Sequence, residues 1–384
     1  MSQKPNFPLP LPFIDLMSQQ KKIRADIEAG FQKVLDHGHY VMGPEIFELE
    51  SKLSDFCGAK HTLSCANGTD ALALILMAKN VGPGDAVFVP TFTFAATAEV
   101  VAWVGATAIF TDVCPDTFNM DPESLKQGIL TAHSLGLKPT AIIPVDLFGL
   151  PADYDALESI AHENNLWILS DAAQSFGATY NHKPVGNFGL ATSTSFFPAK
   201  PLGCYGDGGA IFTDDDALYE ALVSLRVHGQ GKDKYDNIHI GMNGRLDTLQ
   251  AAVLLEKLKL FPEEIKARNK AASFYTSALQ NTVGTPYVPP QSTSIWAQYT
   301  IRLPHIINRA QLMEHLRLAG IPSVIYYVKP LHHQKAYAHF PTAGNSGLPT
   351  SEALCNDVLS LPMHGYLTNE MLEYITHHII TFCK

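Results

Sequence analysis

The sequence predicts an α/β protein, a large and mainly parallel β-sheet covered by helices, with a smaller α+β domain at its C-terminal end. Two features of the 384-residue chain carry that reading. From about Lys60 to Val227, short apolar runs of strand length alternate with amphipathic stretches of helix length, and the strands are too uniformly apolar to leave one face in water. From about Thr282 the pattern changes to short strands and turns between helices. Residues 1–255 are therefore expected to form the large domain with an N-terminal arm, and 256–384 the small one.

Taken in order, the proline-rich residues 1–12 form an extended arm. Ile23, Ile27, Phe31, Val34 and Leu35 recur at a helical period and predict a helix over 18–36. A second helix over 44–56 opens with Pro44 and carries Glu45, Glu48 and Glu50 toward its positive end. Strands are predicted at 61–64, 86–89, 107–111, 141–145, 166–170, 192–197 and 210–213, with helices at 69–79, 94–103, 153–164 and 217–227 among them. Residues 228–245 (HGQGKDKYDNIHIGMNGR) are polar and glycine-rich, an exposed loop that is either mobile or committed to a partner. Helix resumes over 246–260, and Pro262 bends or restarts it before 263–279. The small domain is predicted to hold strands at 297–303 and 323–327 and helices at 309–319 and 369–383.

Composition narrows the function. A net charge of −10 argues against a nucleic-acid-coating surface, although a few local cations suffice for a small anion. No run approaches the roughly 18 apolar residues of a membrane span, and the first residues lack a charged start before an unbroken apolar core, so the expected location is the cytoplasm. The six cysteines are far apart, and no histidine pair carries a carboxylate in an H-E-x-x-H pattern, so metal catalysis is not expected.

In open parallel sheets, ligands sit beyond the carboxyl ends of the strands. The loops there hold the candidate chemistry. In ATSTSFFPAKPLGCYGDGGAI, Lys200 lies between two prolines after a strand; burial would lower its pKa and make it a nucleophile able to form a Schiff base. Gly68 and Thr69 in CANGTD open a helix whose free amides suit a phosphate. Asp171, at the end of the WILSD strand, could hold a pyridinium protonated. Phe94 could stack on a planar ring, Asn243-Gly244-Arg245 could meet phosphate, and Tyr326, Tyr327 and His332 could touch substrate. Each has an ordinary alternative as a cap, turn or core residue. Together they form a set suited to pyridoxal 5′-phosphate.

On these residues and on the runs FIDL, GHYVMGPE, CANGTDAL, GPGDAVFVPTFTFAATAE, SDAAQSFGA, TSFFPAKPLGCYGDGGAIFT, NGRLDTLQAA and LPMH, the chain resembles the DegT/StrS family of sugar aminotransferases. The resemblance implies the aspartate-aminotransferase fold (fold type I of the PLP-dependent transferases) with residues 1–255 binding the cofactor. It implies Lys200 as the lysine joined to pyridoxal phosphate, Asp171 as partner of the pyridine nitrogen, Gln174 near the phenolic oxygen and Phe94 on the ring. Gly68, Thr69 and Ser195 would be phosphate ligands, and Asn243 would reach the neighbouring protomer's phosphate in a homodimer with shared active sites. It further implies L-glutamate as donor and a nucleotide-linked keto sugar as acceptor. Family members that dehydrate carry histidine at the lysine position, which Lys200 disfavours.

The nearest branch acts on UDP-2-acetamido-2-deoxy-3-oxo-D-glucuronate, for surface polysaccharide and lipopolysaccharide sugars, and Arg245 matches an arginine facing the anionic substrate. Tyr326-Tyr327 departs from the His-Tyr expected there, His332 falls where that branch can carry a different polar residue, and Ser170 replaces a common acidic residue. A dTDP- or UDP-linked 3-keto or 4-keto deoxy sugar is the alternative substrate. A PLP-binding regulator without turnover is the alternative of another class.

Overall fold

The computed structural model describes residues 6–233, 235–344 and 346–384; residues 1–5 of the expected arm and Lys234 of the polar loop lie outside the described residues. Helices α1 (Leu16–His37) and α2 (Pro44–Cys57) precede β1 (His61–Cys65), α3 (Gly68–Ala78), β2 (Asp85–Pro90), α4 (Ala96–Trp103), β3 (Thr107–Thr111), α5 (Pro122–Ser134) and β4 (Lys138–Ile142). Then come α6 (Tyr154–Glu163), β5 (Trp167–Asp171), a small hairpin of β6 (Thr179–Tyr180) and β7 (Lys183–Pro184), β8 (Ala191–Ser195), β9 (Gly209–Thr213) and α7 (Asp216–Leu225). The chain finishes with α8 (Thr248–Leu279), β10 (Tyr299–Arg302), α9 (Arg309–Leu318), α10 (Pro349–Asp357), β11 (Val358–Leu361) and α11 (Asn369–Cys383).

The main sheet has the order β1-β9-β8-β5-β4-β2-β3. Within it β9 pairs antiparallel with both β1 and β8, and the remaining pairs are parallel. Successive strand residues point to opposite faces, and each face has its own core. Phe88, Ile142, Ile168 and Phe212 join Leu49 of α2, Ile129 of α5 and Leu157 of α6 on one side. Their neighbours Val87, Ile143, Leu169 and Ile211 join Leu72 of α3, Val100 of α4 and Leu222 of α7 on the other. A third core collects Tyr299 and Ile301 of β10, Leu359 and Leu361 of β11, Leu316 of α9 and Ile375 of α11.

Several expectations are corrected. Helix α8 does not stop at Pro262; its first half packs on α1 and α2, and its second half on α11. Helix α5 is an additional element, its start capped by Asp121, which accepts from the Glu123 amide at 3.0 Å, with Pro122 in its first turn. Helix α10 and strand β11 were also not anticipated. Residues 323–327 form no strand beyond one bridge between Val324 and Ser360, because the chain turns there to pack Tyr327 on Phe92. Strand β4 begins and ends three residues earlier than expected: the Lys138 amide already donates to the Gly84 carbonyl at 2.9 Å, and the ladder breaks where Pro144 has no amide to give. The arm folds onto the third core, with Leu11 buried and its amide donating to the Gly320 carbonyl at 2.8 Å.

One buried ion pair ties the sheet edge to its helices. Glu50 of α2 accepts from Arg226 Nη1 at 2.6 Å and from the Ser64 amide and hydroxyl at 2.8 Å each, while Arg226 also donates to the Ser64 carbonyl. Removing the carboxylate strands a buried guanidinium. Glu50→Ala should lower stability by about 3–5 kcal/mol in urea unfolding; a loss below about 1 kcal/mol, the range of exposed pairs, would show that water reaches Arg226.

Candidate active site

The carboxyl ends of β1, β8, β5 and β2 converge on one cleft. Strand β9 enters between β1 and β8, so Cys65 faces Gly209 and Gly209 faces Ser195. There is no room for side chains. A Cβ on Gly209 would lie 2.5 Å from the Asn67 carbonyl, and one on Gly68 would lie 2.7 Å from Ser195 Cβ. This squeeze sets the N-terminus of α3 against the Ser195 side chain. Asn67 caps the Asp70 amide at 2.7 Å, and the Ala71 amide donates to the Asn67 carbonyl. The amides of Gly68 and Thr69 have no acceptor among the described residues, as expected for a helix start open to an anion.

Asp171 ends β5 beside Ser193 of β8. Its carboxylate is 5% exposed and accepts from the Thr97 hydroxyl at 2.9 Å and the Ala173 amide at 3.2 Å. Burial raises its pKa, and these two donors and the Lys200 charge pull it back. Ser170 points to the other face, where its hydroxyl meets Tyr154 at 2.5 Å. The Tyr154 hydroxyl also donates to Asp146, which accepts further from Ser175 and the Ala152 amide. Burial pushes Asp146 up to about 7, and the charge of Asp171 pushes in the same direction.

Lys200 follows β8 in a turn in which its amide donates to the Phe197 carbonyl at 2.8 Å. Burial pulls its ammonium down to about 8 against the raising effect of Asp171. Gln174 is buried, with its side-chain oxygen accepting from the Phe148 amide at 2.7 Å. Its amide group also acts on the buried Tyr327 hydroxyl. Phe94 precedes α4 rather than lying inside it and is 60% exposed, whereas Phe92 is core.

The remaining candidates lie around this centre. The Gly244 carbonyl accepts from the Ala66 amide at 3.0 Å, which places Asn243 and Arg245 on either side of a contact with the β1 end. Asn243 is exposed, and Arg245 makes no ion pair with Asp247 among the described residues. Tyr326 leans on Phe13. His332 spends one ring nitrogen on the Thr91 hydroxyl at 2.8 Å and the other on Glu352 at 3.2 Å. Thr97 and Phe148 are further contributors that the sequence did not point to, because each meets its partner only through the fold.

A lysine whose ammonium is disfavoured by burial, close to the buried Asp171 at the carboxyl ends of parallel strands, suits chemistry through a carbonyl compound. A model of the DegT/DnrJ/EryC1/StrS aminotransferase family matches residues 21–380, and the chain belongs to that family. A UDP-2-acetamido-2-deoxy-3-oxo-D-glucuronate aminotransferase from Pseudomonas aeruginosa is 47% identical over 364 residues, 94% of this chain and 98% of the relative. A DegT DnrJ EryC1 StrS aminotransferase from Brucella abortus superposes with a TM-score of 0.95 at 50% identity, covering 97% of this chain and 99% of the other. A sugar aminotransferase from Streptococcus pneumoniae, solved in its PMP form, superposes at 0.87 with 27% identity, covering 98% and 99% of the two chains. This chain is accordingly an aminotransferase of the same α/β fold.

The electrostatics of Lys200 can be tested directly. In protein freed of bound carbonyl compounds, acylation of Lys200 followed by mass spectrometry should show a pH midpoint near 8. Asp171→Asn removes the charge that favours the ammonium and should move the midpoint lower. A midpoint near the ordinary lysine value of about 10.4 would show a solvated amine.

Proposed function

We propose that this chain transfers the amino group of L-glutamate to the keto carbon of UDP-2-acetamido-2-deoxy-3-oxo-D-glucuronate, with pyridoxal 5′-phosphate as cofactor. The products are 2-oxoglutarate and the corresponding 3-amino sugar nucleotide. The observation that carries this reading is the 47% identity, over nearly the whole chain, to the Pseudomonas aeruginosa enzyme of that activity.

The residues present suit the cofactor. Asp171 is a buried carboxylate whose hydrogen-bond donors among the described residues are neutral, so a protonated pyridine nitrogen would offset its desolvation. The open amides of Gly68 and Thr69, with the Thr69 and Ser195 hydroxyls, suit the phosphate. The open Phe94 ring suits a stacked heteroaromatic.

Bound there, pyridoxal phosphate supplies an aldehyde carbon and a ring that takes up electron density from the reacting carbon. Lys200 Nζ would be the covalent anchor and, as the free amine, would take the proton from Cα of glutamate and pass it to the cofactor's aldehyde-derived carbon, a role it would repeat in reverse when the keto sugar is aminated. An amine with a pKa of about 8 holds and releases that proton near neutral pH. The Asp171 carboxylate would keep the ring nitrogen protonated, and Gln174 would orient the phenolic oxygen. Arg245, Tyr326 and Tyr327 contribute to the sugar side, whereas both ring nitrogens of His332 are engaged by Thr91 and Glu352. Asn243 serves the neighbouring protomer in a homodimer, a role supported by its exposure on a loop that also shows Ile238 at 57% and Ile240 at 93%. The division into a cofactor-binding part (1–255) and a small domain (256–384), a cytoplasmic location and a role in surface polysaccharide sugars belong to the same reading.

Lys200→Ala should reduce turnover by at least about 10²–10⁴-fold and abolish the visible absorbance of the lysine-bound cofactor; retained turnover in this variant would refute the assignment. The substrate is tested with UDP- and dTDP-linked 3-keto and 4-keto sugars, with and without a C6 carboxylate, in glutamate-dependent amination. The UDP-linked 3-keto uronate should be preferred. Preference for a neutral 4-keto deoxy sugar would overturn the substrate choice.

A further inference from the structure

We propose that His332, His333 and Glu352 bind one divalent transition-metal ion of the zinc class. Their three ligand atoms lie within 4.8 Å of one another, and among the described residues no other cluster of this kind occurs. Glu352 Oε1 is 3.2 Å from His332 Nε2 and 3.7 Å from His333 Nε2. In a tetrahedral zinc site with metal–ligand bonds of about 2.0–2.2 Å, neighbouring ligand atoms stand about 3.3 Å apart. The two carboxylate–imidazole separations therefore need little change, the two imidazole nitrogens lie within 4.8 Å of each other, and the adjustment falls on His333, which is the exposed member of the pair.

The ligands are held by independent parts of the frame. His332 and His333 sit in a single 3-10 turn, Leu331–His333, whose Leu331 amide donates to the Thr91 carbonyl at 2.9 Å. Thr91 follows β2. Glu352 lies in the first turn of α10, which is fastened to the end of β3 because Asp112 accepts from the amides of Thr350 and Ser351 at 2.9 and 2.8 Å. Strands β2 and β3 are paired neighbours. The two ligand-bearing segments are thus mounted on adjacent strands, which preorganises the site.

The Thr91 hydroxyl completes the second layer of contacts. It lies 2.8 Å from His332 Nδ1 and also accepts from the His332 amide. A hydroxyl both donates and accepts, so it can take the Nδ1 proton that a metal-ligating imidazole must present on its far side. The exposed rim leaves the fourth coordination position to water, the arrangement of a three-ligand site. A single histidine beside a carboxylate, as in His37 and Glu45, or a histidine pair without one, as in His315 and His378, lacks this set.

The test is a cobalt(II) titration of the holoenzyme followed by visible d–d absorption, which is sensitive to coordination geometry. The wild type should show a band saturating at one ion per chain. His333→Ala and Glu352→Gln should each weaken binding at least about tenfold, while His378→Ala should leave it unchanged. Absence of a saturable band, a band that survives both ligand variants, or intense thiolate charge transfer pointing to a cysteine site would each overturn the proposal.

Discussion

Everything at the cleft depends on how closely three backbone segments approach at the end of β9. Gly209 has the Asn67 carbonyl 2.5 Å from where a Cβ would stand, and Gly68 has Ser195 almost as near. A methyl group at either position would push the start of α3 away from the end of β8. The pinch brings the helix amides, the Ser195 hydroxyl and the turn leading to Lys200 into one small volume. It also explains why β9 runs against its neighbours: entering from the cleft side, it offers its first residue, a glycine, where the parallel strands offer their last.

The same crowding governs charge. Asp171 and Asp146 are both buried, and the backbone joins them, since the Asp146 amide donates to the Asp171 carbonyl at 3.0 Å. The Asp171 charge raises the cost of ionising Asp146, and separate partners hold the two carboxylates. Thr97 and Ala173 hold Asp171, while Tyr154, Ser175 and the Ala152 amide hold Asp146. Ser170, between the two networks in sequence, turns to the Tyr154 side, so a neutral residue there leaves the Asp171 face untouched.

Much of this was legible in the chain itself. Apolar strands alternating with helices announced the sheet. Asp171 and Lys200 stood out because each falls at or just after the end of a strand, while Ser195 was marked only by the family resemblance. The misreadings have local causes. Residues 323–327 (SVIYY) have strand propensity, but the pull of Phe92 and Phe13 on the two tyrosines turns the chain instead. Helix α5 carries a complete start signal in Asp121-Pro122-Glu123, followed by Leu125, Ile129 and Ala132 at helical spacing. The environment of Asp171 could not be read at all: Thr97 is 74 positions away and meets it only because β2 and β5 end at the same side of the sheet. Likewise His332 and Glu352 become neighbours through contacts to Thr91 and Asp112 that no spacing rule encodes.

Helix α8 has a mechanical consequence. Its Leu254 and Phe261 belong to the core beneath the sheet, and its Tyr275 and Leu279 to the core around β10 and β11. A continuous rod clamped at both ends transmits torque, so the two cores have little freedom to rotate independently. The ladder of backbone hydrogen bonds along that rod lacks a rung at Pro262, which has no amide proton to give. Any flexing between the cores is therefore concentrated near one residue, at the level where the rod passes from one clamp to the other.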